Sequence, residues 1–421
     1  MNRLLTFQQL KAIRKSILGL FSIQERSLYW SSIMSVKRKR PINELIQKKK
    51  KEFFHLKHEV LTEIIYRKPN LLPDRYTFVL TNLCNLTCYF CFQKKDVRED
   101  RMRLEDWMNL AKQLPGYARV TFTGGEPLMF SGFDEIFSYV AGRYDCNMIS
   151  NGLLLTEKKI DFLLSFPRFR VLSISIDDIG NKNREVNPAQ WARTENMMRY
   201  FIKRRNQLKS NCVLEAKTVV LDKNAADILD IHKYCVEELS CDHHSFQFLK
   251  GSPTQHADYM FSFDDILKKS HAPVYQKFDV ICEQLERVRE YNLKTSKTAF
   301  LHPIIGSLTS PNPLPDVQYL NQPEFIKENY KSCKFPWSSV HINVDGNLFP
   351  CMAVSMGNVK ETPLPQIIHG KNFTRFKDLI RKDGTVEGCN RCGWLRPQDH
   401  LRKNGVSACS NRQDAVAVNQ I

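Results

Sequence analysis

Residues 81–92, TNLCNLTCYFCF, set Cys84, Cys88 and Cys91 on one short stretch, with three residues and then two between them. Three thiolates so placed can hold three irons of a four-iron cluster and leave the fourth iron without a protein ligand. An iron with an open position is a place for chemistry. Zinc suits this loop less well, because a structural zinc site closes with four ligands and the loop offers three cysteines and no neighbouring histidine. A second set of thiols comes late in the chain. Cys333 is followed by twelve residues, Gly346, four residues and Cys351, and Cys389 and Cys392 then form a C-x2-C. Four thiolates can close a tetrahedral zinc or a four-iron cluster, and spacing alone does not separate the two.

The elements that must position these residues alternate between short apolar runs and helical segments from Tyr76 onward, which is the pattern of a parallel α/β fold. Residues 76–80 read as the first strand, with the cysteine loop at its carboxyl end, where such folds place their chemistry. A helix is expected over 104–114 and a second strand from Arg119, emptying into Gly124, Gly125, Glu126 and Pro127. The glycines would let backbone groups approach a ligand, and Glu126 would offer an acceptor suited to an ammonium group. The third strand ends in Ser150, Asn151 and Gly152, and the fourth, over 171–178, shows Ser173, Ser175 and Asp177 on one face. A helix over 191–209, a fifth strand over 213–220 followed by Asn224, a helix over 226–239 and a sixth strand over 244–251 complete the series. Beyond it a helix is expected over 264–291, then an irregular proline-rich segment over 303–316, then a hairpin over 338–351 that delivers Cys351.

The C-x3-C-x2-C spacing with Phe90 before its third cysteine resembles the signature of the radical S-adenosylmethionine (SAM) superfamily, and GGEP after the second strand resembles that family's motif for the SAM amino group. The resemblance implies a partial (β/α)6, TIM-like barrel whose open side admits a larger substrate than a closed barrel would. It implies a cluster on Cys84, Cys88 and Cys91 that chelates SAM and cleaves it to a 5'-deoxyadenosyl radical. Gly124, Gly125, Glu126, Pro127, Ser150, Asn151, Ser173, Ser175 and Asp177 would then bind SAM. Arg184 and Asn187 would be candidates to meet its carboxylate, although Asp178 stands where relatives carry a glycine. The later cysteines are similar to the auxiliary-cluster extension called SPASM or, in its shortened form, twitch; this implies one fully ligated 4Fe–4S cluster on Cys333, Cys351, Cys389 and Cys392, with Cys409 spare. A cluster with no open iron would accept an electron from an oxidised substrate. The expected activity is therefore oxidation of an alcohol or amine carbon on a small molecule, with modification of a peptide as the alternative. A reductase such as flavodoxin or ferredoxin would be the electron-donating partner.

Four regions are expected: a basic helical arm over 1–72, the core over 73–251, a connector over 252–330 and the cysteine-rich region over 331–421. The net charge of +17 is concentrated in the arm, since residues 1–70 hold 16 Lys and Arg against 5 Glu. The runs VKRKRP at 36–41 and Lys48 to Lys51 suit a solvated helical face, or contact with nucleic acid or an anionic surface. A binding protein stapled by metal and using this arm would leave GGEP unexplained. Cys146, Cys212, Cys235, Cys241 and Cys282 read as small buried hydrophobes, and His243 with His244 does not read as a metal pair. Reduced thiolates and the lack of an eighteen-residue apolar run point to a cytoplasmic protein.

Overall fold

In the computed structural model, residues 60–93, 100–269, 271–303, 308–314 and 317–398 are described. The expected helices of the basic arm lie outside these residues, apart from the helical turns of 60–67, as do Cys409 and parts of the proline-rich segment. The arm up to Arg67 is one unit and Lys68 onward a second.

The second unit is built on one sheet, in the order β10-β9-β8-β1-β2-β3-β4-β5-β6-β7. The strands are β1 (Arg75–Val79), β2 (Arg119–Thr123), β3 (Asp145–Ser150), β4 (Phe169–Ser175), β5 (Val213–Val220), β6 (His243–Phe248), β7 (Ala299–His302), β8 (Ser339–Ile342), β9 (Asn347–Phe349) and β10 (Gly357–Asn358). From β8 through β1 to β7 every pairing is parallel, and only β8–β9 and β9–β10 are antiparallel. This is a mixed α/β fold with an open, parallel barrel-like sheet. Six of the strands are those expected from sequence; the β8–β9 hairpin turns at Asp345-Gly346, where Gly346 takes φ 88°.

Two strand pairings were not legible in the chain. β7 is four residues, too short for a periodic signal, and pairs in parallel with β6. β8 returns from the cysteine-rich region to pair in parallel with β1, Arg75 facing Ser339. The expected helix over 264–291 is instead a short 3-10 turn, Asp264–Leu267, and a helix over Phe278–Thr295. Pro273 lies between them, and proline removes the N–H that a continuous helix would need.

Alternation divides the sheet's two faces. Tyr76, Phe78, Val120, Phe122, Met148, Leu172, Ile174, Leu214 and Phe246 point outward and are buried beneath the helices. Helix α1 (Leu104–Lys112) lays Trp107 on Phe78, with ring centroids 5.0 Å apart, and α2 (Phe133–Ala141) lays Phe133 and Phe137 on Phe122. Each such ring contributes about 1.5–3 kcal/mol on burial. The inner face carries Arg75, Arg119, Ser173, Glu215, Lys217, Ser245 and Gln247. A parallel sheet covered on both faces reads as continuously apolar, so this polar inner face marks a lumen.

The loop after β2 docks on the cysteine loop backbone to backbone. Gly125 N donates to Thr81 O at 2.7 Å, and Glu126 N donates to Leu83 O at 2.8 Å. A Cβ on Gly125 would stand 2.2 Å from Leu83 O, and one on Gly124, at φ +152°, 2.3 Å from Thr81 O. The two glycines thus face the neighbouring loop, whose backbone leaves no room for a side chain. Gly125→Ala should displace residues 81–83, lower stability by about 1–3 kcal/mol as overpacking does and reduce the iron retained after reconstitution; a variant with wild-type melting and iron content would disprove the contact's importance.

Candidate active site and second cysteine centre

Glu126 joins three loop ends at the carboxyl rim. Its carboxylate accepts from Ser150 Oγ at 2.9 Å, Asn151 N at 2.8 Å and Leu128 N at 3.3 Å, and the residue is fully buried. Burial pushes its pKa up to about 7 against the pull of these donors. The expected acceptor for a ligand's ammonium is therefore occupied by the protein's own hydrogen bonds. Pro127 opens the 3-10 turn Pro127–Met129, where its missing N–H leaves no donor unsatisfied.

Asn151 carries this arrangement to the cysteines. Its Nδ2 lies 2.7 Å from Asn85 Oδ1 and 3.8 Å from Cys84 Sγ, a donor directed at sulfur. Arg184 does the same from the opposite side, with Nη1 3.8 Å from Cys88 Sγ and its guanidinium 5.2 Å from the Phe90 ring centroid. Arg184 Nε also pairs with Asp177 Oδ2 at 2.6 Å. Asp177 is wholly buried; burial raises its pKa and the Arg184 charge opposes that shift. Asp177 Oδ1 further accepts from Val219 N at 2.6 Å. Removing one partner from such a buried pair costs on the order of 3–5 kcal/mol.

The turn in which Asp178 replaces a glycine is well formed. Its carboxylate accepts from Lys182 N and Asn183 N at 2.7 and 2.6 Å, while Gly180 takes the left-handed φ of 85°. Asn187 departs from its expected role, because it caps the helix Pro188–Gln207 by accepting from Gln190 N at 2.9 Å. Asn224 is buried and fixes the rim from within, donating to Asp177 O at 2.8 Å and Val219 O at 2.9 Å. Ser175 joins through its carbonyl, which accepts from Asn181 Nδ2 at 3.0 Å.

Ser173 leads to a centre that the sequence reading missed. Its hydroxyl donates to Glu215, which also accepts from Ser245 Oγ at 2.5 Å, pairs with Lys217 Nζ at 3.0 Å and lies 3.4 Å from His243 Nε2. Lys217 and the donor side chains hold the buried Glu215 carboxyl well below its usual range despite desolvation. The available signal was Glu215 and Lys217 at alternate positions of the otherwise apolar run VLEAKTVV. His243 and His244 lie within β6 and face opposite sides, His244 turning to Thr218 Oγ1 at 2.7 Å.

The second cysteine set gathers where β9 ends and the C-x2-C turn begins. Cys351, Cys389 and Cys392 are buried and Cys333 is half-buried. Desolvation raises all four pKa values, Cys333 up to about 12, and the charges of Cys333, Cys389 and Cys392 act on others of the set. Phe335 N lies 3.4 Å from Cys333 Sγ and Val386 N 3.4 Å from Cys389 Sγ, donors that suit thiolate. Among the described residues no group of three or more His, Cys, Asp and Glu side chains converges as a single-ion site. Gly393, directly after Cys392, reaches the inner face of the sheet: a Cβ there would stand 3.1 Å from Gln247 Oε1 and 3.5 Å from His302 Cβ. Trp394 stacks on Phe335 with centroids 3.9 Å apart. Cys146, Cys212, Cys235 and Cys241 are buried, as small hydrophobes, whereas Cys282, on the helix Phe278–Thr295, is only half-buried, contrary to expectation.

The raised pKa of Glu126 has a defined pH signature. Because its folded value of about 7 exceeds the ordinary 4.5, its contribution to stability is full below about pH 4.5 and is lost as pH rises through 7. The loss is on the order of 3 kcal/mol. Melting curves of the cluster-free protein should therefore show Glu126→Gln gaining on wild type between pH 4.5 and 7; a pH-independent difference would disprove the assignment.

Residues 78–215 match the radical SAM superfamily, and residues 333–393 match the SPASM iron–sulfur cluster-binding domain. The sporulation killing factor maturation protein SkfB of Bacillus subtilis is 27% identical over 168 residues, 39% of this chain and 40% of that protein. The chain thus spans about two fifths of that relative. The antilisterial bacteriocin subtilosin biosynthesis protein AlbA of the same organism is 25% identical over 370 residues, 81% of this chain and 72% of that protein. Streptococcus suis SuiB, in a crystal structure with its precursor peptide SuiA, superposes with a TM-score of 0.52 at 17% identity, covering 84% of this chain and 78% of that one, a likeness of fold. Both cysteine sets lie inside the matched segments, so the chain carries a radical SAM domain over 78–215, a type of domain that implies a 4Fe–4S cluster and SAM, and an iron–sulfur cluster-binding domain of the SPASM type over 333–393.

Proposed function

We propose that the protein is a peptide-modifying radical SAM enzyme whose auxiliary centre takes up an electron from the oxidised substrate, in preference to oxidation of a small molecule. The observation that carries the reading is that both cysteine sets border one polar lumen: the rim loops carry the first, and Gly393, beside Cys392, abuts Gln247 and His302 on the inner face. An open sheet with β7 and β10 at its edges gives an extended chain lateral access to that lumen. The named activities of the two Bacillus subtilis relatives support a peptide substrate.

The donor sets fit the groups the family uses. Cys84, Cys88 and Cys91 would hold the first cluster, with Asn151 and Arg184 donating toward Cys84 and Cys88 to stabilise thiolate charge. Cys333, Cys351, Cys389 and Cys392 would hold the second, shielded from water. When bound, these groups supply hydrogen-atom abstraction and a one-electron sink; the protein supplies binding, orientation and exclusion of solvent. Asp177 fixes the angle of Arg184, and Glu126 fixes Asn151, so the two sulfur donors are preorganised. The Gly124–Pro127 stretch, Ser150, Ser173 and Ser175 form the wall against which SAM would lie. Lys217, on its Glu215 support, faces the lumen as a substrate contact.

Two experiments test this. Iron after anaerobic reconstitution should be about eight per chain, falling to about four in Cys389→Ala and in Cys88→Ala. Only Cys88→Ala should abolish SAM cleavage; zinc in place of iron in the second site would refute the electron-transfer role. Incubation with SAM and reductant should yield a product lighter by one hydrogen pair in a peptide extract of the source cells, and Cys389→Ala should suppress it. A product confined to the peptide-free metabolite pool would overturn the choice of substrate.

A further inference from the structure

The short stretch around Lys250 touches both cysteine-bearing segments. Lys250, two residues beyond β6, sets its ammonium 3.7 Å from the ring centroid of Phe92, the residue after Cys91. The same Nζ donates to Gln255 O at 3.0 Å. The Gln255 amide in turn donates to Gly388 O at 2.8 Å and Asn390 O at 2.7 Å, the carbonyls on either side of Cys389. Gly251 N donates to Asn390 O at 3.1 Å, and a Cβ on Gly251 would stand 2.5 Å from that oxygen. The backbone beside Lys250 is therefore in direct contact with the C-x2-C turn, while its side chain lies over the other cysteine loop.

The electrostatics agree with this placement. Burial draws the Lys250 pKa down to about 7, and the groups that counter burial and favour its charge are Cys392, then Cys91, then Asp258. Both cysteine sites thus act on one ammonium. A half-buried cation needs an anionic counterpart, and thiolate-ligated clusters are anionic. The negative charge of a bound cluster keeps such an ammonium protonated, and a positive charge held beside a cluster favours its reduced, more negative state and so raises its potential.

We propose that Lys250 is a positioning residue shared by the two centres: its charge raises the reduction potential of both clusters and brings them into one electrostatic field. This rests on the reading of the cysteines as two cluster sites. The interaction requires no proton transfer and no further reactant, since one electron enters a cluster and the cation remains in place.

The test is an EPR-monitored redox titration of reconstituted wild type, Lys250→Met and Lys250→Arg, with Cys389→Ala included to isolate the first cluster's signal. In Lys250→Met both midpoints should fall, each by about a tenfold shift in the reduction equilibrium, ~59 mV for one electron. Lys250→Arg should restore them, and iron content should match in all three. Unmoved midpoints at full iron would overturn the proposal, and a fall in one cluster alone would overturn the shared role. If Met at this position costs iron, Lys250→Gln gives the same comparison. Wild-type protein that takes up no iron would sink the cluster reading itself, an outcome distinct from clusters whose midpoints ignore Lys250.

Discussion

The close docking of two loops governs the site. The Gly124–Glu126 backbone lies on Thr81–Leu83 through two short hydrogen bonds, in a space that excludes any side chain at Gly125. This contact sets where Cys84 begins its turn. It also directs the Glu126 carboxyl inward, where it gathers Ser150 and Asn151, so that Asn151 reaches Cys84. A buried carboxyl with three donors is costly to desolvate, and its raised pKa records that cost. The rim is rigid because its polar groups are satisfied by one another.

The opposite wall uses the same device with a different pair. Asp177 and Arg184 neutralise each other near the Cys88 turn, and Asn224 ties the end of β4, at Asp177, to β5, at Val219. One pleat further in, Glu215 collects hydroxyl, ammonium and imidazole donors from three adjacent strands. Polar groups on one face and aromatic rings on the other follow from the two-residue period of a strand. The outer face supplies stability, while the inner face is left free to carry charge.

The cysteine-rich region is continuous with this sheet. β8 adds in parallel to β1, and β9 and β10 extend the sheet beyond it. The later C-x2-C turn returns to the inner face at Gly393 and to Lys250 through Gln255 and Gly251. A long-range pairing therefore places the second thiol set against the lumen, although more than two hundred residues separate Cys91 from Cys333.

By itself the chain determined the local chemistry. Thiol spacing, glycine pairs at strand ends and two-residue alternation are short-range signals, so the cysteine sets, the GGEP turn and the first six strands were all legible. Asn187 was misread because a residue suited to a carboxylate is equally suited to a helix cap, and the following Pro188 decided for the cap. Tertiary structure alone decided the rest. The direction of the Glu126 carboxyl depends on which loop end comes near it, and the importance of Glu215 depends on three strands aligning their registers. Lys250 had no local signal, because Phe92 and Cys392 come near it only through the long-range packing of the sheet and its loops. Spacing fixes which atoms can act as ligands; only long-range packing fixes which charges surround them.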